Sequence, residues 1–413
     1  MVKEIIVSLK QQLKVFPSLV AIVIIQTAIG GMRAIPSTII GIVYFLSMII
    51  CIKSDSFKID KKWLIFLLYL PITIIIGRPH EVFNSWNRLI MFCLMYISVS
   101  SLIQSNYARR FRKCIFNMAI LLCIIISYLS FAGYFLGINL FSPDGYEDVN
   151  YVGVAGLFSG ITKQSMLLGP ISGLATIYLF SKAIENKKSI ISWLMILPSM
   201  GCVLFSASRS AFIATIGGII VVLYNKFTRK SEFIKYIIII GIFALLTFPM
   251  WQSATTALQN KQAIHKDDTS RFDSRTDKVD ARISEFVSSP IFGIGFAAVD
   301  YYGKDGFNKV KGTIEPGTSW LAILSMTGLI GFILFLNIFI DSFIRIRKNN
   351  LQVWLVGMFA FFAIHMLVEG YIYAGGSVLA FLLWLILGQC YDSINYIEIK
   401  PYTYRYENNR IIK

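Results

Sequence analysis

RFDSRTDKVDARISEFVSSPIFGIGF, residues 271–296, lies inside the one long polar interval of this sequence, 253–318. It carries Arg271, Arg275, Arg282, Asp273, Asp277, Asp280 and Glu285, then the run Pro290 to Phe296; the interval closes on Glu315-Pro316-Gly317-Thr318. An apolar block starts directly afterwards, and apolar blocks fill most of the chain on either side. That contrast decides the fold: blocks of 15 to 25 apolar residues have the length needed to cross about 30 Å of hydrocarbon as helix, and 253–318 does not.

Working outward, the 413 residues are 56% hydrophobic and only 15% charged, with a mean hydropathy of +0.65. A soluble globular protein is excluded on those values. The period-2 alternation of a transmembrane barrel is absent. The chain reads as an all-α polytopic membrane protein, a single integral domain over 1–413, with a large extracytoplasmic loop at 253–318 and a cytoplasmic tail at 392–413. About twelve helices are expected, near 15–32, 34–52, 63–77, 86–103, 114–138, 161–181, 189–207, 211–225, 235–252, 319–343, 351–369 and 376–391.

The net charge of +16 suggests nucleic acid until the positions of the charges are considered. Lys58, Lys61 and Lys62, then Arg109, Arg110, Arg112 and Lys113, then Lys182, Lys187 and Lys188, lie in alternate connections, followed by Lys226, Arg229 and Lys230 and by Arg345, Arg347 and Lys348. Such alternation is the positive-inside pattern, which places both termini in the cytoplasm and 253–318 outside. Membrane lipid, not nucleic acid, is the partner implied. Six cysteines fall within or at the ends of apolar blocks, and neither a disulfide nor a metal-ligand spacing is read from them. Lys3, Lys10 and Lys14 precede the first block without a small-residue cleavage site, so that block reads as an uncleaved span.

Cations on the outer face are not explained by topology. They include Arg33, Arg78, Arg88, Lys163, Arg209, Arg271, Arg275 and Arg282. Arginine presents a permanently charged planar fork suited to phosphate or carboxylate. Arg209 stands in Ser208-Arg209-Ser210-Ala211, within an apolar hairpin; the competing reading is a helix-end cation snorkelling to headgroups. Glu315 is a candidate base beside the Pro316-Gly317 turn, or else a helix-start carboxylate favoured by the macrodipole. Glu369 is a weaker acidic candidate, His365 reads as packed, and His80 and His265 read as surface or loop residues. Gly293-Ile294-Gly295-Phe296 follows no strand and lacks a third glycine, so it is not a nucleotide loop. It reads as a turn laying a short apolar segment along the membrane surface, with a short amphipathic helix over 281–287 carrying Arg282 towards the site.

Ser208-Arg209-Ser210-Ala211, Pro290 to Phe296, Gly328-Leu329-Ile330-Gly331 and Gly156-Leu157-Phe158-Ser159 together resemble the O-antigen polymerase and ligase superfamily, over roughly 150–335. The resemblance implies a fold similar to membrane glycosyltransferases of the GT-C kind, and a metal-independent, cofactor-free glycosyltransferase in the bacterial inner membrane with its active site facing the periplasm. Its implied substrates are undecaprenyl-diphosphate-linked oligosaccharides, and a chain-length regulator and a flippase are candidate partners. Carried over by position, Arg209 matches the arginine after the seventh helix, Arg275 the loop arginine, and Arg282 with Gly293 the polymerase pattern of arginine, ten residues and glycine. Lys163 and Arg88 join them as supporting diphosphate ligands, with Glu315 and Arg282 as the catalytic pair. The sequence departs from the pattern at Val279, where a tryptophan is common, at Ile161-Thr162-Lys163, in place of His-Pro-Asn, and at Gly317-Thr318, in place of a His-Asn pair. Glu315 stands where many members have the histidine that is the candidate base of ligases, so the resemblance favours Wzy-type polymerases. A ligase is the near alternative, and a flippase or transporter the alternative from another class, for which broken helices or inverted repeats would be the signature.

Overall fold

A computed structural model describes residues 15–32, 35–52, 58–140, 158–185, 189–227, 231, 234, 273–302, 307–308, 313–348, 352–393 and the strand residues 406–407 and 410–411. The expected block 235–252, the loop residues 253–272 and most of the tail after Ser393 lie outside them.

Helices occupy every expected block that is described. They are α1 (Val15–Gln26), α2 (Ser37–Ile52), α3 (Lys61–Gly77), α4 (Ser85–Val99), α5 (Asn106–Phe135), α6 (Ser165–Glu185), α7 (Ile190–Leu194), α8 (Ile196–Phe205), α9 (Arg209–Lys226), α10 (Asp273–Ser288), α11 (Ser319–Lys348), α12 (Val353–His365) and α13 (Val378–Asp392). By length and composition, four stretches among the described residues can cross a membrane: 81–99, α5, α6 and α11. Several others are shorter apolar helices. Strand content among the described residues is limited to two short hairpins, Phe307–Asn308 with Thr313–Ile314 and Tyr406–Glu407 with Arg410–Ile411.

Short polar side chains set the helix starts by taking backbone N–H groups that lack an intrahelical acceptor. Asp60 accepts from Lys62 and Trp63 at the start of α3, Ser105 from Ala108 at α5, and Ser377 from Leu379 at α13. The α5 start corrects the expected boundary by about two turns. Arg109, Arg110, Arg112 and Lys113 are helical, not loop, residues. The physical reason is pairing: Arg112 is fully buried, with its Nε and Nη2 at 3.0 and 2.7 Å from Asp392 Oδ2.

Small residues let the helices approach closely, as association within lipid requires. In α9 and α12, a Cβ added at Gly218 would lie 2.8 Å from the Gly357 carbonyl oxygen, and one at Gly357 would lie 2.9 Å from that of Gly218. A second packing centre is aromatic, with Trp63 and Phe66 of α3, Tyr96 of α4, Phe335 of α11 and Trp384 of α13 in mutual edge or tilted contact.

The bundle has two chemically distinct ends. At one, Lys62 pairs with Asp341 at 2.7 Å and Arg112 with Asp392, and Phe16 of α1 stacks on Phe111 of α5. The basic clusters around Lys62, Arg109 and Arg345 thus share that end, the arrangement the positive-inside pattern anticipates. At the other lie the C-termini of α3 and α12 and the N-termini of α4, α9 and α11.

The run Pro290 to Phe296, expected as a turn laying a short apolar segment along the membrane surface, is built into that second end against α11. Helix α11 is interrupted at Gly328, which has φ +64° and ψ −171°. The break frees carbonyls that an unbroken helix would occupy: Ser325 O accepts from Ile294 N at 2.9 Å, Met326 O from Gly295 N at 3.1 Å, and Thr327 O from the Tyr69 hydroxyl at 3.0 Å. In return, Pro290 O accepts from Leu329 N at 2.8 Å. A Cβ at Gly328 would sit 2.2 Å from Ile291 O, so a larger residue cannot be accommodated without movement. Phe296 is fully buried against Phe92 and Tyr373, and its N–H donates to Thr73 Oγ1 at 3.1 Å. Backbone groups buried in an apolar setting need such partners.

Candidate active site

Helix α10 precedes this clasp and packs on α11. It spans Asp273–Ser288, longer than the expected 281–287. Its amphipathicity is inverted relative to a soluble helix: Ile283, Val287 and, just beyond, Ile291 are exposed, whereas Arg282 and Glu285 are buried. Arg282 Nη2 donates to Glu285 Oε1 at 2.5 Å, and the same oxygen accepts the Asp300 N–H at 2.7 Å. Burial, the dominant influence, raises the Glu285 carboxyl above its ordinary range, against the lowering effect of Arg282 and of the Asp300 N–H hydrogen bond. Arg282 is therefore engaged on the protein-facing side of α10. Position 275 lies two turns earlier in the helix, and its side chain is outside the described residues.

One turn from Arg282, Lys278 reaches Glu315 with Nζ–Oε2 at 2.9 Å. The Glu315 side chain is 58% exposed, so this ion pair is solvated and adds little stability. The Pro316-Gly317 turn that follows seats against α12's exit: a Cβ at Gly370 would meet Pro316 Cγ at 2.5 Å and Gly317 N at 3.0 Å. Thr318 Oγ1 donates to Met366 O at 3.3 Å and, at the start of α11, Ser319 Oγ donates to Glu369 O at 2.7 Å. His365 is buried, stacked on Phe361 and 3.0 Å from the Tyr371 hydroxyl through Nδ1, a packed histidine as expected.

Arg209 opens α9. Ser208 caps the helix by accepting from Ala211 N, and Ala207 before it adopts φ +50°. Arg209 is exposed, while its neighbour Ser210 is buried and donates to Glu369 Oε1 at 3.3 Å. The half-buried Glu369 thus joins two of the expected elements: its side chain meets the Ser-Arg-Ser-Ala turn, and its carbonyl holds the start of α11, just after Glu315. The sequence ranked Glu369 below Glu315 because nothing local links it to Arg209. Glu285 was read only as one of the loop charges; its i,i+3 spacing to Arg282 was the available signal.

Lys163 is half-buried in the connection before α6, where its N–H donates to Ala28 O at 2.8 Å. The same α6 packs on the α8–α9 turn, since a Cβ at Gly169 would lie 2.9 Å from Ser208 Cβ and Ala211 Cβ. Arg88 serves a different feature: its Nε donates to Phe83 O at 2.7 Å, fixing the turn before α4. His80 in that turn stacks on Tyr301 with centroids 4.0 Å apart. The structure therefore brings Glu369 together with Ser210, beside Arg209, and with the start of α11 after Glu315, ties α10 to Glu315 through Lys278, and leaves Arg88 on the α4 side. Arg271 and His265 lie outside the described residues.

This arrangement offers an exposed guanidinium at a helix N-terminus, where backbone N–H groups favour an anion, with the Glu369 carboxylate on the adjacent Ser210. No curated protein matches the chain. Residues 191–336, which hold Arg209, Arg275, Arg282 and Glu315, match the family Wzy_C, described as O-Antigen ligase, and the flanking apolar helices are those of a membrane protein.

Proposed function

We propose that this chain is the polymerase of lipid-linked oligosaccharide repeat units, working at the outer face of the bacterial inner membrane without metal or cofactor. A growing glycan would pass from undecaprenyl diphosphate to the non-reducing end of a new lipid-linked repeat unit. The observation that supports this reading is the contact of Glu369 with Ser210, next to Arg209, and with Ser319, just after the Glu315 turn, at one end of the bundle. The preference for polymerase over ligase rests on Glu315, which stands where the ligases' candidate base histidine is expected.

In the reaction the bond between the donor's anomeric carbon and its diphosphate oxygen breaks, and a sugar hydroxyl oxygen of the acceptor bonds to that carbon. The electron pair leaves with undecaprenyl diphosphate. Arg209 and Arg275 bind the diphosphate, with Lys163 and Arg88 adding positive potential. Arginine charge placed where the leaving group gains charge lowers the barrier directly. Glu315, released from Lys278, accepts the hydroxyl proton, and Glu369 orients the acceptor from the Arg209 side. Arg282 is a positioning residue in this scheme: its pair with Glu285 fixes α10, and with it Arg275 and Lys278, over the site.

A clean deletion tests the reading by electrophoresis of surface glycans. Core bearing a single repeat unit supports the polymerase. Bare core with accumulated lipid-linked polymer supports the ligase named in the family description, and unpolymerised units retained on the cytoplasmic side support a flippase.

A further inference from the structure

The basic end of the bundle, opposite Arg209, holds a cavity of about 460 Å³ between the N-termini of α3 and α5 and the C-termini of α11 and α13. Its lining includes Lys58, Asp60, Gln104, Arg109, Arg345 and Tyr391. We propose that this cavity binds the phosphate group of an anionic glycerophospholipid from the inner leaflet.

The carboxylates around it are already engaged. Asp60 is committed to capping α3 through Oδ1 and to the Tyr391 hydroxyl through Oδ2. Asp392, fully buried, is held by Arg112, and Asp341 is shared by Lys62 and Arg345. Among the described residues, Lys58, Lys62, Arg109, Arg112 and Arg345 share Asp60, Asp341 and Asp392 at this end, with Arg109 Nε 3.8 Å from Asp392 Oδ1. Arg345 is held in place, its guanidinium 3.7 Å from the centre of the Tyr391 ring and its Nε 3.4 Å from Asp341 Oδ1. Arg109 is likewise ordered by Gln104, with Nη2–Oε1 at 2.6 Å. A cation pair fixed by neighbours loses little entropy on meeting an anion. The volume lies within the range of small-ligand sites. The site also stands where apolar helices begin and end, the level at which anionic headgroups lie in the leaflet that basic segments face. A soluble phosphate would use the same groups, but it would not share that depth.

The test uses the purified full chain in detergent, followed by thermal unfolding with added phosphatidylglycerol, phosphatidylcholine or inorganic phosphate at matched phosphate concentration. Phosphatidylglycerol should raise the Tm, and phosphatidylcholine should not. Lys58→Gln with Arg345→Gln should weaken the phosphatidylglycerol effect by about 30-fold in concentration, the fold-change for two contacts of ~1 kcal/mol each. Lys58→Gln alone, at an exposed residue, should weaken it about fivefold, which guards against misfolding of the double variant. A response to inorganic phosphate equal to that for phosphatidylglycerol would retain the phosphate site and assign it to a soluble ligand. Equal responses to the two lipids, or variants that respond like the unmodified chain, would overturn it.

Discussion

Arg282→Ala and Glu285→Ala should destabilise this protein unequally, and with different pH behaviour. Both residues are buried, at 1% and 4% exposure. Breaking such a pair typically costs about 3–5 kcal/mol because one charge is left without its counterion, which is a large fraction of a typical domain's stability of about 5–15 kcal/mol. The survivor decides the sign of the difference. In Arg282→Ala the survivor is a carboxylate that burial has already raised and that Arg282 had been lowering. It can take up a proton and become neutral. A carboxyl whose folded-state pKa lies above its unfolded value costs stability as pH rises through the interval between the two, and none below both. Removing Arg282 extends that interval upwards, so the defect should shrink from pH 8 to pH 5. In Glu285→Ala the survivor is a guanidinium that does not deprotonate in this range, so its cost should persist at pH 5 and exceed that of Arg282→Ala. The double variant Arg282→Met/Glu285→Leu should recover most of the stability, since apolar replacement of a whole buried pair is often neutral or favourable. Heating the protein in detergent at pH 5, 6.5 and 8, with the soluble monodisperse fraction read by size exclusion, gives all three comparisons. Arg282→Ala matching the unmodified chain at pH 8, or Glu285→Ala proving the milder change, would refute the buried Arg282–Glu285 pair.

Gly328→Ala should lower the yield of folded protein by the equivalent of about 1–3 kcal/mol of backbone strain, with further loss from the contact with Ile291 O; a Tm within a degree of the parent would contradict the keyed break in α11. Arg209→Gln, at an exposed position, should leave the Tm within the shift of an ordinary surface change, about 0.5 kcal/mol. It should abolish long glycan chains in a complementation assay, and Arg209→Lys should restore little because a point charge cannot replace the planar fork. Glu369→Gln retains an acceptor for Ser210 and should insert and fold normally while chain lengths collapse; full-length ladders would remove Glu369 from the site. For Glu315→Gln, loss of the solvated pair with Lys278 should change stability by less than about 1 kcal/mol, so shortened chains on electrophoresis would report on chemistry alone.

The membrane architecture was legible because apolar block length is a property of the chain itself, independent of tertiary context. Helix α6 and helix α9 therefore lie within a few residues of their expected spans. Boundaries shifted where a tertiary partner intervened. Asp392, 280 residues away, draws Arg112 into the protein and extends α5 backwards across a cluster that reads locally as a loop. The run Pro290 to Phe296 was visible as unusual, yet its function as a key for the Gly328 break depends on carbonyls that only the folded α11 exposes. At the candidate site the sequence singled out Arg209 through its cost in an apolar hairpin. It could not show that Glu369 lies against Ser210 across 159 positions, or that Arg282 turns inward to Glu285, because a helix face is assigned by what packs on it.

The central claim is polymerisation of lipid-linked repeat units. Reconstitution of the purified chain in liposomes with one undecaprenyl-diphosphate-linked repeat unit, and no lipid A core, tests it most directly. The account predicts a ladder of lipid-linked oligomers with one undecaprenyl diphosphate released for each bond formed. Absence of oligomers, with transfer appearing only when lipid A core is supplied, would contradict it.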